Sequence, residues 1–207
     1  MSDRLNNRVG REAHAASAGH TIRAVLAYLF WHAPVAELAT AEYEARLDAF
    51  HAALRADAPA GLGPTATVGL DAVPWLGGGP GYEDWYLVED FTALGTLNAA
   101  AVGGGARAPH DAAAAAARVG VGAVMGHVAG SLLPPRIGWA AWLGKPAGMG
   151  YDAFHGELAA AFGGEASAWR RQMVLGPTTE YCVLAEAARE LPWPPEHGWA
   201  LRAVVEP

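Results

Sequence analysis

A weak internal repeat constrains the fold of this 207-residue chain more than any other feature of its sequence. The segment beginning at Arg23 reads RAVLAYLFWHAP and is followed by AEYEARLDAFHAAL, whereas the segment beginning at Arg136 reads RIGWAAWLGKP and is followed by GYDAFHGELAAAF. Each begins with an apolar run rich in aromatic and β-branched residues, reaches a tryptophan shortly before a proline and continues into a helical pattern. This shared order predicts that the chain contains one fold twice.

The two predicted helices carry matching apolar positions. At 3.6 residues per turn these positions fall on one helix face, and that face should pack on a sheet. The matching residues are Tyr43, Phe50 and Leu54 in the first helix and Tyr151, Leu158 and Phe162 in the second. We therefore expect Tyr43 to correspond to Tyr151, and Trp31 to correspond to Trp142.

Each predicted helix is followed by two strand-like runs that fit a hairpin. These runs are TATVGLDAV and DWYLVEDF in the first half, and WRRQMVL and EYCVLAEA in the second. A second helical segment follows in the first half, ending in PHDAAAAAAR, but its counterpart RELPWPPEHG contains three prolines and cannot form more than a turn of helix. Each half ends in an apolar strand, so the predicted order is strand, helix, strand, strand, helix, strand, twice over.

This order of elements resembles the dimeric α+β-barrel superfamily, in a form that has both ferredoxin-like units in one chain. The resemblance covers roughly residues 20–207 and implies an α+β fold. In that fold, two ferredoxin-like βαββαβ repeats pack their antiparallel sheets together as a pseudo-dimeric α+β barrel, and here the second repeat has a degenerate second helix. We expect a polar N-terminal tail over residues 1–20, repeat 1 over 21–131 and repeat 2 over 132–207.

Composition excludes several classes of function. A net charge of −7 provides no basic surface for phosphates or anionic lipids, so we expect neither a nucleic-acid partner nor a membrane partner. The first twenty residues contain charges and no apolar run, which is not the pattern of a secretory signal. The single cysteine, Cys182, excludes an internal disulfide framework and favours a cytoplasmic location. We expect this thiol to be buried and unreactive.

Motifs for bound cofactors and metals do not occur at the required spacings. Gly77–Gly81 lacks the lysine and hydroxyl residue of a phosphate loop, and the glycines at 120, 122 and 126 miss the dinucleotide spacing. The eight histidines form no HExxH pattern and no cluster with the cysteine. The sequence therefore predicts no metal site and no permanent cofactor.

The resemblance also implies where a ligand would bind, because members of the superfamily commonly hold a small molecule between the sheet and its own helices. His32, after the first strand, and His110, at the start of the second helix, are the candidate catalytic residues. Aromatic walls with a few polar tips suit an apolar or aromatic ligand. The candidate ligand-binding residues are Trp31, Tyr43, Trp85, Tyr86, Trp142, Lys145, Tyr151 and His155. The alternative is that the aromatic residues are core and the histidines structural.

Three functions remain open from the sequence. The first is binding or transformation of a small apolar or aromatic molecule without a permanent cofactor, as in the cofactor-independent monooxygenases and isomerases that the chain resembles. The second is haem binding, which some tandem-barrel members carry out through a histidine of the second half, and the third is a non-catalytic structural role. We expect no haem, because only His155 and His197 are available there. We expect a homodimer, since a degenerate helix leaves sheet surface to cover.

Overall fold

Alternating apolar residues and helical apolar stripes generate an α+β structure in the residues that the computed structural model describes, which are 25–162, 164–172 and 177–207. Within them the chain forms nine strands and four α-helices. The tail predicted over residues 1–20 lies outside the described residues. No helix in these ranges is long and apolar enough to cross a membrane.

The first half forms helices in the two places where the sequence predicts them, after its first strand and after its third. Its elements are β1 (Leu26–Pro34), α1 (Thr40–Ala56), β2 (Leu62–Leu70), β3 (Gly81–Val88), α2 (Phe91–Ala101), α3 (Arg107–Ala116) and β4 (Ala117–Gly130). The second half is shorter. Its elements are β5 (Trp139–Leu143), α4 (Tyr151–Phe162), β6 (Ala166–Arg171), β7 (Tyr181–Ala185), β8 (His197–Ala200) and β9 (Arg202–Val205). Strand β6 begins earlier than the predicted run WRRQMVL, and residues 173–176 of that region lie outside the described residues.

All nine strands belong to one antiparallel sheet with the order β8-β5-β7-β6-β4-β1-β3-β2-β9. Strands β1–β4 and strands β5–β8 lie in the same relative order, fourth, first, third, second, and β9 is an additional strand beside β2. The halves are joined where β4 pairs with β6. Strands β8 and β9 stand at opposite ends of this order, yet only Leu201 separates them in the chain. The sheet therefore curls into a nearly closed barrel, which leaves few unpaired edges.

Alternation along the strands divides the side chains between two faces of the sheet. One face lines the barrel interior and forms the largest apolar cluster, which includes Leu29, Trp31, Trp85, Trp142 and Trp169. The other face points outward to the helices. The fold is thus two ferredoxin-like units that form an α+β barrel, and the prediction of fold class is confirmed.

The prediction of a degenerate second helix in the second half is also confirmed. No helix forms between β7 and β8, because the prolines of RELPWPPEHG remove backbone donors and restrict the chain. Instead, Trp193 from this segment packs edge-on against Phe154 of α4, with ring centroids 4.7 Å apart. An extended segment therefore covers part of the surface that a helix would cover.

The matched apolar faces of α1 and α4 are buried at four positions, namely Phe50, Leu54, Leu158 and Phe162. Tyr151 differs from Tyr43: it is 44% exposed, whereas Tyr43 is buried. The reason is that Tyr151 is the first residue of its helix and Tyr43 is the fourth. Phe154, one turn further on, is the buried aromatic residue of α4.

Glycines on β4 make room for aromatic rings. A Cβ atom on Gly120 would lie 2.2 Å from the Phe30 ring, and one on Gly122 would lie 2.9 Å from the Tyr28 hydroxyl. Both distances are far below van der Waals contact, so larger residues at these positions would displace the rings. The glycine-rich stretch is therefore a strand that seats aromatic side chains of β1.

Candidate functional site

A cavity of about 630 Å³ lies between the outer face of the first-half sheet and helices α1, α2 and α3. This volume is in the range that holds a small organic molecule. Aromatic and aliphatic side chains form most of its wall, and a few polar groups lie on the sheet. The wall includes Tyr28, Phe30, Phe50, Tyr86, Leu94, Leu97, Val102 and Ala113.

Strand alternation brings the polar residues of the cavity together. On β1, Phe30 and His32 point outward, and on the adjacent β3 so do Asp84 and Tyr86. The register pairs Phe30 with Asp84, which sets the carboxylate diagonally beside His32. Helix α1, which packs on the same face of the sheet, contributes Tyr43 to this group. The predicted residues His32, Tyr43 and Tyr86 therefore line one cavity.

Asp84 is the centre of this polar cluster and is almost fully buried. The Thr67 hydroxyl donates to its Oδ1 atom at 2.6 Å, and the Tyr86 hydroxyl donates to its Oδ2 atom at 3.0 Å. Burial alone would raise the pKa of Asp84, but the nearby His32 and the bond from Thr67 outweigh it and hold this pKa below its usual range. The cavity floor thus carries a buried, ionised carboxylate.

His32 links this carboxylate to Tyr43. Its Nε2 atom lies 3.2 Å from Asp84 Oδ2, near enough for an ion pair although the approach angle falls short of a hydrogen bond. Its Nδ1 atom lies 2.7 Å from the Tyr43 hydroxyl. In the neutral ring the proton belongs on Nε2, facing the carboxylate, so that Nδ1 accepts from Tyr43. Burial, and then the charge of Asp84, raise the pKa of Tyr43, which keeps its hydroxyl protonated.

Exposed residues of α2 and α3 also line the cavity. Phe91, Gly95, Asn98 and Val102 line it from exposed positions on or beside α2. His110 of α3 lines the same cavity and packs edge-on against Phe50, with ring centroids 5.4 Å apart. The two predicted catalytic histidines thus face one space, His32 at the floor and His110 near the opening.

The three candidate tryptophans lie elsewhere. Trp31, Trp85 and Trp142 point into the barrel interior and do not line the cavity. Neighbouring strand residues point to opposite faces, so Trp31 cannot share a face with His32. Inside the barrel, the indole N–H groups of Trp31 and Trp85 donate to buried Glu83 at 2.7 and 2.6 Å.

Lys145, Tyr151 and His155 come together in the second half, away from the cavity. The Lys145 ammonium lies 5.3 Å from the centroid of the Tyr151 ring, and His155 Nε2 lies 3.0 Å from the Tyr181 hydroxyl. Phe154 and its apolar neighbours pack α4 directly on the sheet beside them. These three predicted ligand-binding residues therefore form a separate surface group.

Asp84 and Thr67 are absent from the residues that the sequence predicts for the site. A carboxylate among the strand residues of YEDWYLV is a signal that could have identified Asp84, since buried carboxylates are rare unless paired. Thr67 carries no such signal, because only the pairing of β2 with β3 places it beside Asp84. Among the described residues, no group of three or more His, Cys, Asp and Glu side chains is arranged to hold a metal ion.

Comparison with known proteins supports the fold and not a particular activity. No protein-family model matches the chain, and no curated protein matches it. A presumed monooxygenase from Fusobacterium nucleatum has a similar fold, with a TM-score of 0.53 and 9% sequence identity over 79% of this chain and 76% of that one. A presumed chlorite dismutase reaches a TM-score of 0.47 at 10% identity, over 81% of both chains. The chain thus shares the α+β-barrel fold.

Proposed function

We propose that the first-half cavity binds a neutral, largely apolar small molecule and that Asp84, His32 and Tyr43 together remove a proton from it. The observation that carries this proposal is a buried carboxylate that contacts an imidazole, which in turn contacts a phenol, at the floor of an apolar cavity. Burying an ionised group is costly, and the partners of Asp84 offset that cost.

The proton transfer follows the order of the three side chains. A ligand hydroxyl, or an acidic C–H, gives its proton to the Tyr43 oxygen while the Tyr43 proton passes to His32 Nδ1. The ligand is left with a negative charge and His32 becomes an imidazolium. Asp84 stabilises this imidazolium from its opposite side, which is the role a buried carboxylate has in hydrogen-bonded catalytic chains.

The charge of the cavity indicates the class of ligand. No lysine or arginine occurs among its described lining residues, and Asp84 contributes a negative charge. A carboxylate or phosphate would therefore be repelled and find no cationic partner. A neutral aromatic compound with a weakly acidic hydroxyl would place its ring against the apolar wall of the cavity and its hydroxyl beside the polar groups of the floor.

Deprotonation is a common first step for both reaction types that the fold resemblance implies. An electron-rich anion can react with dioxygen, as in a cofactor-free monooxygenase, or regain its proton at another atom, as in an isomerase. The fold shared with a presumed monooxygenase supports testing the first of these, with dioxygen as the co-reactant. Oxygen uptake during turnover distinguishes the two reactions.

Haem binding has less support from the residues present. His155 bonds to Tyr181, and His197 stacks on Trp199 with ring centroids 5.3 Å apart. The first-half cavity contains His32 and His110, but its described lining has no cationic side chain to pair with haem propionates. These observations favour the cofactor-free reaction.

Binding can be tested with three probes that share one ring system and differ in its substituent: 1-naphthol, naphthalene and 1-naphthoate. We expect 1-naphthol to raise the melting temperature most, naphthalene less and the carboxylate least, because ligand binding to the folded state stabilises it. Bound 1-naphthol should also show the absorbance of its anion at a pH where the free compound is neutral. Asp84→Asn should retain binding and lose this anion signal.

A matched pair of variants locates the binding. Gly95 lines the cavity on α2, and Gly156 lies on the exposed side of α4; a Cβ atom meets no neighbour at either position. Gly95→Phe should fill the cavity opening and abolish the effect of 1-naphthol, whereas Gly156→Phe should leave it unchanged. Equal binding by the two variants, or an undiminished anion signal in Asp84→Asn, contradicts the proposal.

A further inference from the structure

His51 is a buried imidazole that does not line the cavity, yet its ring makes several hydrogen bonds. It lies on the sheet-facing side of α1, where its Nδ1 atom is 2.8 Å from Thr65 Oγ1 and its Nε2 atom is 2.9 Å from Thr67 Oγ1. The Tyr86 hydroxyl lies 3.3 Å from the same Nε2. An apolar side chain would fill this space without requiring hydrogen-bond partners, so packing alone does not explain a histidine here.

The bond that the Thr67 hydroxyl donates to Asp84 sets the direction of the other bonds in this group. An ionised carboxylate only accepts, so the Thr67 hydroxyl must donate to Asp84 Oδ1 and its oxygen is left to accept from His51 Nε2–H. His51 Nδ1 then accepts from the Thr65 hydroxyl. Burial lowers the pKa of His51 and keeps the ring neutral, which agrees with one donor and one acceptor nitrogen.

We propose that His51 and Thr67 are positioning residues that orient the Asp84 carboxylate, so that Asp84 in turn selects the His32 tautomer with its proton on Nε2. This inference rests on the proposed function, because only that tautomer leaves His32 Nδ1 free to accept a proton through Tyr43. His51 lies 4.0 Å from Asp84 Oδ1 and His32 lies 3.2 Å from Oδ2, so the two histidines face opposite oxygens of one carboxylate.

Several groups surround this carboxylate and must be considered in any pH titration. Those that face Asp84 are His32 from β1, Tyr43 and His51 from α1, Thr67 from β2 and Tyr86 from β3; Tyr28 of β1 and the neighbouring Glu83 of β3 also interact with its charge. Two further charges on α1, Asp48 and Arg55, act on His51 with opposite signs. Thr67 is the best position to change, because it has no charge of its own.

The test uses Thr67→Val, with Thr67→Ser as the matched control, and follows the ring nitrogens of His32 by NMR in the ligand-free protein. Valine keeps the shape and removes the hydroxyl, whereas serine restores it. The unaltered protein should show one protonated and one unprotonated ring nitrogen. Thr67→Val should average the two signals, and Thr67→Ser should restore the original pattern.

Thr65→Val is a second variant that acts only through His51. It should change the His32 signals in the same direction and by less, and it supplies the result if Thr67→Val does not fold. Unchanged His32 signals in the folded valine variants contradict the positioning role. Because this measurement needs no ligand, a failure of 1-naphthol to ionise would contradict only the proposed function.

Discussion

The two halves of the barrel have the same strand order, but the side chains on the helix-facing side of the sheet differ. In the first half several of them are polar, whereas in the second half the matching side chains are apolar. With Trp31 aligned on Trp142, as the sequence repeat predicts, the strand registers match His32 and Asp84 of the first half with Leu143 and Val183 of the second. Thr67 likewise corresponds to Ala168. In this alignment the polar cluster lies in the first half, and apolar residues occupy the matching positions of the second half.

The helices of the two halves also differ in the space that they leave above the sheet. In the first half, α2 and α3 stand beside α1 and leave a cavity above β1 and β3. In the second half the segment between β7 and β8 forms no helix, and Trp193 packs against Phe154 of α4. Among the described residues, polar side chains on the sheet and helices held away from it therefore occur together in the first half and not in the second.

The largest expected effect comes from placing the first-half carboxylate in the second half. Val183 is fully buried among apolar side chains. Val183→Asp should cost at least about 4 kcal/mol in the free energy of unfolding, because a buried charge without partners is among the most damaging substitutions. Urea denaturation measures the loss. Val183→Thr is the control and should cost less, and an equal loss in the two variants contradicts the comparison.

Core truncation should affect both halves alike. Leu54 of α1 and Leu158 of α4 are buried against the sheet. Changing either to Ala should cost about 2–5 kcal/mol, the usual range for a buried leucine. Denaturant unfolding measures the stability of both variants. If either variant were as stable as the unaltered protein, the prediction that the two helix faces are equivalent would be wrong.

Sequence patterns predicted the fold well, because element order depends on local signals such as the prolines of RELPWPPEHG. They predicted the site only in part. His32, Tyr43, Tyr86 and His110 do line the cavity, but the pattern could not decide which face of β1 and β3 each aromatic residue occupies. Partners such as Thr67 come from another strand, and their position depends on register that no local signal specifies.

The next largest expected effect is the pH-dependent contribution of Glu83 to the free energy of unfolding. Burial raises the pKa of Glu83 to about 7, and the corresponding second-half residue is Cys182. The folded protein therefore holds this proton more tightly than the unfolded chain, so the contribution of Glu83 is fully present below about pH 4.5, falls as pH rises toward 7 and is constant above it. The total change is about 3 kcal/mol.

Glu83→Gln isolates this contribution, because it keeps the side-chain length and removes the charge. The stability difference between the two proteins should change across this pH interval, while the contributions of the buried histidines cancel in the difference. Denaturant titrations at a series of pH values provide the measurement. A difference that is constant with pH would show that Glu83 does not titrate in the folded barrel.

The smallest expected effect is the response to haem. In the second half, His155 bonds to Tyr181 and α4 packs on the sheet through apolar side chains. In the first half, the described wall of the cavity has no cation for a propionate. Titration with haem should therefore produce no stoichiometric Soret band. A band lost in His155→Ala or His197→Ala would place a haem site in the second half, and one lost in His32→Ala or His110→Ala would place it in the first. Either result would favour haem binding over the cofactor-free reaction.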